Sequence, residues 1–262
     1  MKQPLKLLTI AGSDSGGAAG LQADLKTWTA VRAYSMSVIT AVTAQNSLAV
    51  NSVQFMSTDF VAAQLTAVLS DYGADGAKTG FIGRAELIPV IANHLQTHGV
   101  LHIVVDPVLV NHKGQAMFSA EVAHAYQHHL FPLAQLITPN CREAEVLTGL
   151  PVATIAEMEM AAAYLHRLGP QTILIKRGVI GDEVVDVLYD GATMTHFRSP
   201  KIPTQNTHGS GDVLSAAICA FLARGEEMVT AVTKAREFTY AAIRRAASWQ
   251  LGSGHGPLAI YE

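Results

Sequence analysis

Residues 7–31, LLTIAGSDSGGAAGLQADLKTWTAV, pass from a short apolar run through a glycine-rich turn into a pattern of helical period. The mostly apolar run Leu7 to Ala11, closed by a turn, reads as a buried strand, and residues 21–31 read as a helix. The same unit recurs along the chain. Residues 35–43 are β-branched and apolar, hence a second strand. Phe60, Ala63, Leu65, Val68 and Leu69 recur at helical spacing behind the N-cap candidates Ser57 and Thr58, and Gly73 closes that helix. Residues 87–95 form another helix, closed by Gly99. Residues 102–105, 136–138 and 172–176 are further short buried strands. Thr154 and Glu157 make a capping box at the head of a helix that Gly169 ends. Strands 183–189 and 193–198 flank Asp190-Gly191, a hairpin signal. Two long helices follow, from residue 211 onward and over 226–249. Strand–helix alternation predicts an α/β protein, a mainly parallel central sheet with helices on both faces. No linker, repeat or composition break interrupts the 262 residues, which predicts a single domain over 1–262.

The bulk properties narrow the function. About half the residues (49%) are apolar, enough for a sizeable core, and the net charge of −3 supplies no basic face for nucleic acid. Only Cys141 and Cys219 are available as thiols, which points to a reducing compartment. The apolar run at 7–11 is too short for a secretory segment, and no stretch is long enough to span a membrane. The expectation is a soluble, cytoplasmic protein with small-molecule partners, no nucleic acid and no membrane. Cys219 falls on the apolar face of a helix and reads as core. His94, His98, His112, His128 and His129 show no metal-ligand spacing, so no zinc is expected. His255, between glycines, reads as a turn residue near a nucleotide.

Ligands of open parallel sheets bind at the carboxyl ends of the strands. The residues there are 12–20, Gln45, 78–80, Asp106, Asn140, Lys176 and 209–212. The sharpest motif is Thr207-His208-Gly209-Ser210-Gly211-Asp212, set directly before an apolar helix. Two glycines and a helix N-terminus make an anion site, phosphate above all. Asp212 is either a helix cap or a base poised beside a phosphate. Asn140 and Glu143 share one face of a helix start and read either as oxygen ligands for Mg²⁺ or as a cap with its first-turn partner. Asp106, before Pro107, is a third acid at a strand end. The first loop lacks the Gly-Lys-Ser/Thr ending of a Walker A motif, Ala77 separates Gly76 from Lys78, and no G-x-G-x-x-G opens a helix.

Together AGSD…GGAAGLQADLKT, SVITAVTAQNS, KTGFIG, VVDPVLV, LITPNCREAEVLTG, LIKRG, DVLYDG, NTHGSGD and GSGHGP resemble the hydroxymethylpyrimidine/phosphomethylpyrimidine kinase family, in family order and over nearly the whole chain. The resemblance implies a ribokinase-like three-layer α/β/α sandwich, a homodimer, and MgATP as phosphoryl donor. It implies that Gln45 hydrogen-bonds a pyrimidine and that Asp24, Gly12, Phe81 and Val108 line the same pocket. Phe81 reads equally as core. It further implies that Lys176, Asn140 and Thr207 serve ATP, that Asp106 and Glu143 serve Mg²⁺, and that Gly209, Ser210 and Gly211 form an anion hole beside Asp212. The family's pyrimidine kinases commonly carry cysteine at position 212; aspartate there is typical of sugar kinases and of the larger pyridoxal kinases. Ala18 and Arg177 also stand where the family usually has glycine. Phosphorylation of hydroxymethylpyrimidine and its monophosphate is the expected activity. A pyridoxal kinase and a non-catalytic ligand-binding homologue are the alternatives.

Overall fold

The structure, a computed structural model, describes residues 3–111 and 114–261, and of Arg177 the backbone alone. His112, among the histidines weighed for zinc, and the side chain of Arg177 therefore lie outside the described residues. The elements in chain order are β1 (Lys6–Asp14), α1 (Gly20–Ala30), β2 (Tyr34–Gln45), β3 (Val50–Phe55), α2 (Thr58–Asp71), β4 (Gly76–Thr79), α3 (Leu87–Thr97) and β5 (His102–Val105). They continue through α4 (Ala120–Ala125), β6 (Leu136–Ile137), α5 (Cys141–Thr148), α6 (Ile155–His166), β7 (Ile173–Ile180), β8 (Glu183–Tyr189), β9 (Met194–Pro200), α7 (Ser210–Ala223) and α8 (Met228–Ala246).

The described strands form one nine-stranded sheet in the order β3-β2-β1-β4-β5-β6-β7-β8-β9. Every pairing from β2 across to β7 is parallel. The margins are antiparallel: β3 on β2, β8 on β7, and β9 on β8. Buried strands send alternate side chains to opposite faces, and each face has its own core. Ile10, Val105, Ile137 and Ile175 pack under α2 to α6, whereas Leu7, Val104, Leu136 and Leu174 pack under α1, α7 and α8. The three-layer α/β/α architecture expected from the alternation is present. Ser57 caps α2 by accepting from Phe60 N, and Thr154 with Glu157 makes the expected capping box on α6. Cys219, on the inner face of α7, is fully buried in the core, as expected.

Three features differ from the sequence reading, one of them the short helix α4, which was not expected. Strand β3 was not expected; Asn51, Ser52 and Gln54 are exposed, and only Val53 and Phe55 of this edge strand are even half-buried, so its pattern is weak. Lys78, read as lying after a strand, sits inside the four-residue, fully buried β4. A buried charge inside a strand defeats hydrophobic periodicity.

Trp28 joins α1 to α7. It is fully buried, and its indole Nε1 donates to Ala216 O at 2.8 Å. Trp28→Ala leaves a large cavity and removes the indole's hydrogen bond, and is expected to lower unfolding free energy by about 3–5 kcal/mol, measured by urea denaturation.

Candidate active site

The turn before α7 is built around Gly209. Its φ is +80°, and a Cβ there would lie 1.9 Å from the carbonyl oxygen of Ala18, so only glycine fits. This contact clamps the first loop against the start of α7. Ala18 presents its backbone, not its side chain, to Gly209. Gly211 has the ammonium of Lys176 against it; a Cβ there would sit 3.1 Å from Nζ. The orphan N–H groups of the first turn of α7 and this cation therefore converge on one place, which favours anions.

Asp212, in the first turn of α7, stands beside that place. Its Oδ1 accepts from Lys78 Nζ at 2.8 Å and its Oδ2 from the N–H of Gly20 at 3.2 Å. Burial works against its charge, but Lys78, Gly20 and Lys176 outweigh burial and hold the carboxyl below the ordinary aspartate range. Lys176 Nζ is 2.7 Å from Asp106 Oδ1, and both side chains are nearly fully buried. Asp106 Oδ2 also accepts from Ser215 Oγ at 3.2 Å.

A cavity of about 1090 Å³ opens over the carboxyl ends of the strands. Gly12, Gln45, Phe81 and Val108 line one part; Asp106, Asn140, Glu143 and Lys176 line another; Thr207, Gly209, Gly211 and Asp212 lie between the loops. Two expected residues are not on this wall. Ser210 is buried, its N–H donating to Thr207 O at 3.1 Å. Asp24 does not line the pocket: it lies fully buried beneath it, bonded to Lys78 at 2.9 Å and accepting from Thr9 Oγ1 at 2.5 Å. Asp24 sits mid-helix on the inner face of α1, and a lone carboxylate there has to find a buried cation. Burial raises its pKa, opposed by Lys78.

Phe81 is half-buried. It lines the cavity, and it packs against Phe55 and Phe118 with ring centroids 6.0 and 5.5 Å away. Asn140 and Glu143 form a complete capping box: Asn140 Oδ1 accepts from Arg142 and Glu143 N–H, and Glu143 Oε2 accepts from Asn140 N–H at 2.9 Å. Burial, with Asp106 nearby, pushes the Glu143 carboxyl up to about 8. Among the described residues no group of three or more His, Cys, Asp or Glu could hold a metal ion by itself.

Sequence reasoning assigned no role to three residues here. Lys78 has been described. Asp14 shapes the first loop, accepting from Gly16, Ala18 and Ala19 N–H at 2.8–2.9 Å; the Ser-Asp-Ser-Gly-Gly run carries that turn signal. His208 Nε2 lies 3.0 Å from Gln45 Nε2 and 3.8 Å from Asp14 Oδ2. His255 Nε2 lies 2.8 Å from Thr207 Oγ1, which brings it to the cavity wall.

A parallel sheet between two helical layers, with a glycine turn and a carboxylate at the strand ends, is the layout of a ribokinase-like α/β/α protein. The chain belongs to the phosphomethylpyrimidine kinase family, whose model matches residues 14–259. It is 43% identical to the hydroxymethylpyrimidine/phosphomethylpyrimidine kinase of Rhizobium meliloti, covering 96% of this chain and 95% of that one. It is 45% identical to the thiamine biosynthesis bifunctional protein ThiED of Geobacter sulfurreducens, over 96% of this chain but only 51% of that protein. The chain thus spans about half the length of such bifunctional relatives. Among solved structures, an ADP complex of Bacillus subtilis pyridoxal kinase superposes with a TM-score of 0.91 at 38% identity, covering 98% of this chain and 97% of that one. No helix among the described residues is long and apolar enough to cross a membrane.

The raised pKa of Glu143 has a stability consequence. An acid with folded pKa above its unfolded value keeps its proton longer in the folded state, so stability falls as pH rises from about 4.5 to about 8. Glu143→Gln keeps an N3 acceptor without the titration. The variant is expected to gain on the parent across that window, by at most about 1.4 kcal/mol per pH unit, in melting curves taken at stepped pH.

Proposed function

We propose that the chain transfers the γ-phosphoryl group of ATP to the hydroxymethyl oxygen of 4-amino-5-hydroxymethyl-2-methylpyrimidine, and then phosphorylates the monophosphate, in thiamine diphosphate biosynthesis. The observation that carries the reading is the ionised Asp212 on the cavity wall beside the Gly209–Gly211 turn. The Rhizobium relative, named for both steps and matched over nearly its full length, supports the substrate. The ADP complex of the Bacillus subtilis protein supports a nucleotide donor.

In this reading the ring lies against Gln45 and Phe81, and the phosphates lie on the glycine turn and Lys176. Asp212 takes the hydroxyl proton as the oxygen attacks Pγ; the bond from Pγ to the bridging oxygen breaks and ADP leaves. The N–H groups of the turn and Lys176 stabilise the transferring group. Asp106 and Glu143 would steer Mg²⁺ from one wall, and the ion, when bound, neutralises phosphate charge. That donor set is too sparse to hold a resident ion and fits one that arrives on phosphates and water, as Mg²⁺ prefers. The second step needs no base, because a phosphate monoester with a second pKa near about 6 is already mostly dianionic.

The likeness to pyridoxal kinase, together with aspartate at position 212, favours a second reading in which pyridoxal is the acceptor. Product mass over time decides between them. Excess MgATP is expected to carry hydroxymethylpyrimidine to its diphosphate, with the second step slower; accumulation of monophosphate alone, with faster turnover of pyridoxal, replaces the first reading with the second. Asp212→Asn is expected to keep nucleotide binding and to lose roughly 10²–10⁴ in hydroxyl phosphorylation, measured by coupled ADP release.

A further inference from the structure

Lys78 is fully buried on β4 and takes no part in the cavity wall. An ammonium has three donors. Those of Lys78 go to Asp24 Oδ1 at 2.9 Å, Asp24 Oδ2 at 3.1 Å and Asp212 Oδ1 at 2.8 Å. Asp24 is in turn fixed by Thr9 Oγ1. The Asp212 carboxylate is thereby gripped from two sides, Oδ1 by Lys78 and Oδ2 by the N–H of Gly20.

We propose that Lys78 and Asp24 form a positioning pair for Asp212. Lys78 aims and ionises the carboxylate that faces the cavity, and Asp24 tempers the cation by sharing it. The inference rests on the reading of Asp212 as the base. Neither residue touches a substrate; both act through Asp212. The other titratable groups on the surrounding elements are Lys176 on β7, Asp106 after β5, Glu143 on α5, Tyr126 after α4 and Cys219 on α7, with Asp14 at the end of β1 and His208 on the loop before α7.

A shared cation makes two opposite demands on the pH profile. Without Lys78 the carboxylate loses its partner, so it holds its proton to higher pH. Without the charge of Asp24, Lys78 belongs to Asp212 alone, so the proton leaves at the same or lower pH and the base is weaker. A residue that merely fills space moves no profile.

The test is kcat against pH for Lys78→Met and Asp24→Asn, with ¹³C NMR of aspartate-labelled protein following the Asp212 carboxyl. In Lys78→Met the acid limb and the NMR midpoint are expected to rise by about 1–3 pH units, with KM for both substrates little changed. In Asp24→Asn neither is expected to rise, while kcat falls at unchanged KM. An unmoved limb and midpoint in Lys78→Met overturn the proposal, as does a rise in Asp24→Asn or turnover there equal to that of the parent. If Lys78→Met does not fold, with two carboxylates left unpaired, the Asp24→Asn arm decides alone. Asp212→Asn assayed alongside separates the failures. Parental turnover in Asp212→Asn removes the base itself. A collapse there with an unmoved Lys78→Met profile removes only the positioning pair.

Discussion

The charge on Lys78 has no route to water, and much of the molecule is arranged around that fact. Burying an ammonium costs several kcal/mol unless its donors find acceptors of opposite charge. Here the acceptors come from two helices on the same face of the sheet: Asp24 from α1 and Asp212 from α7. The two helices must therefore lie together over β4, and the indole of Trp28 bonding to Ala216 holds them so. The carboxylate that reaches the cavity is placed by the same balance of charge that lets the lysine be buried.

A second balance lies alongside. Lys176 pairs with Asp106, and its ammonium rests against Gly211. Two lysines thus serve three aspartates within a small volume, while Glu143, deep in the same wall, leans toward its neutral form. The turn between these groups exists only because Gly209 tolerates the carbonyl of Ala18 at its back. Anion-binding donors, a cation and a carboxylate are brought within reach of one another by loops from opposite ends of the chain.

Much of this was legible in the residues. The parallel sheet followed from short apolar runs alternating with helical patterns, and the glycine turn and Asp212 from their own motif. The hairpin at Asp190-Gly191 is present as β8 and β9. What escaped had physical reasons. Lys78 interrupts a strand of four residues, and a lysine in such a place looks like the strand's end. Asp24 shows the matching error, since no helical pattern says whether an inward carboxylate faces a ligand or a cation behind it. Asn140 and Glu143 had two readings on local grounds; the structure fills the capping role, which is a matter of backbone N–H groups, while leaving both residues at the cavity. The edge strand β3 could not be read because it buries too little to be patterned.

The sequence separations in the charge cluster set an order of assembly. Lys78 lies 54 residues from Asp24 but 134 from Asp212. During synthesis at about 5–20 residues per second, the first partner is already made when Lys78 appears, and the second follows roughly 7–27 s later. Throughout that interval the lysine has one carboxylate and the cavity has none of its α7 wall. The nascent chain therefore carries a half-neutralised charge that only the arrival of α7 completes, and closure of the sheet's second face is coupled to the moment at which the site becomes whole.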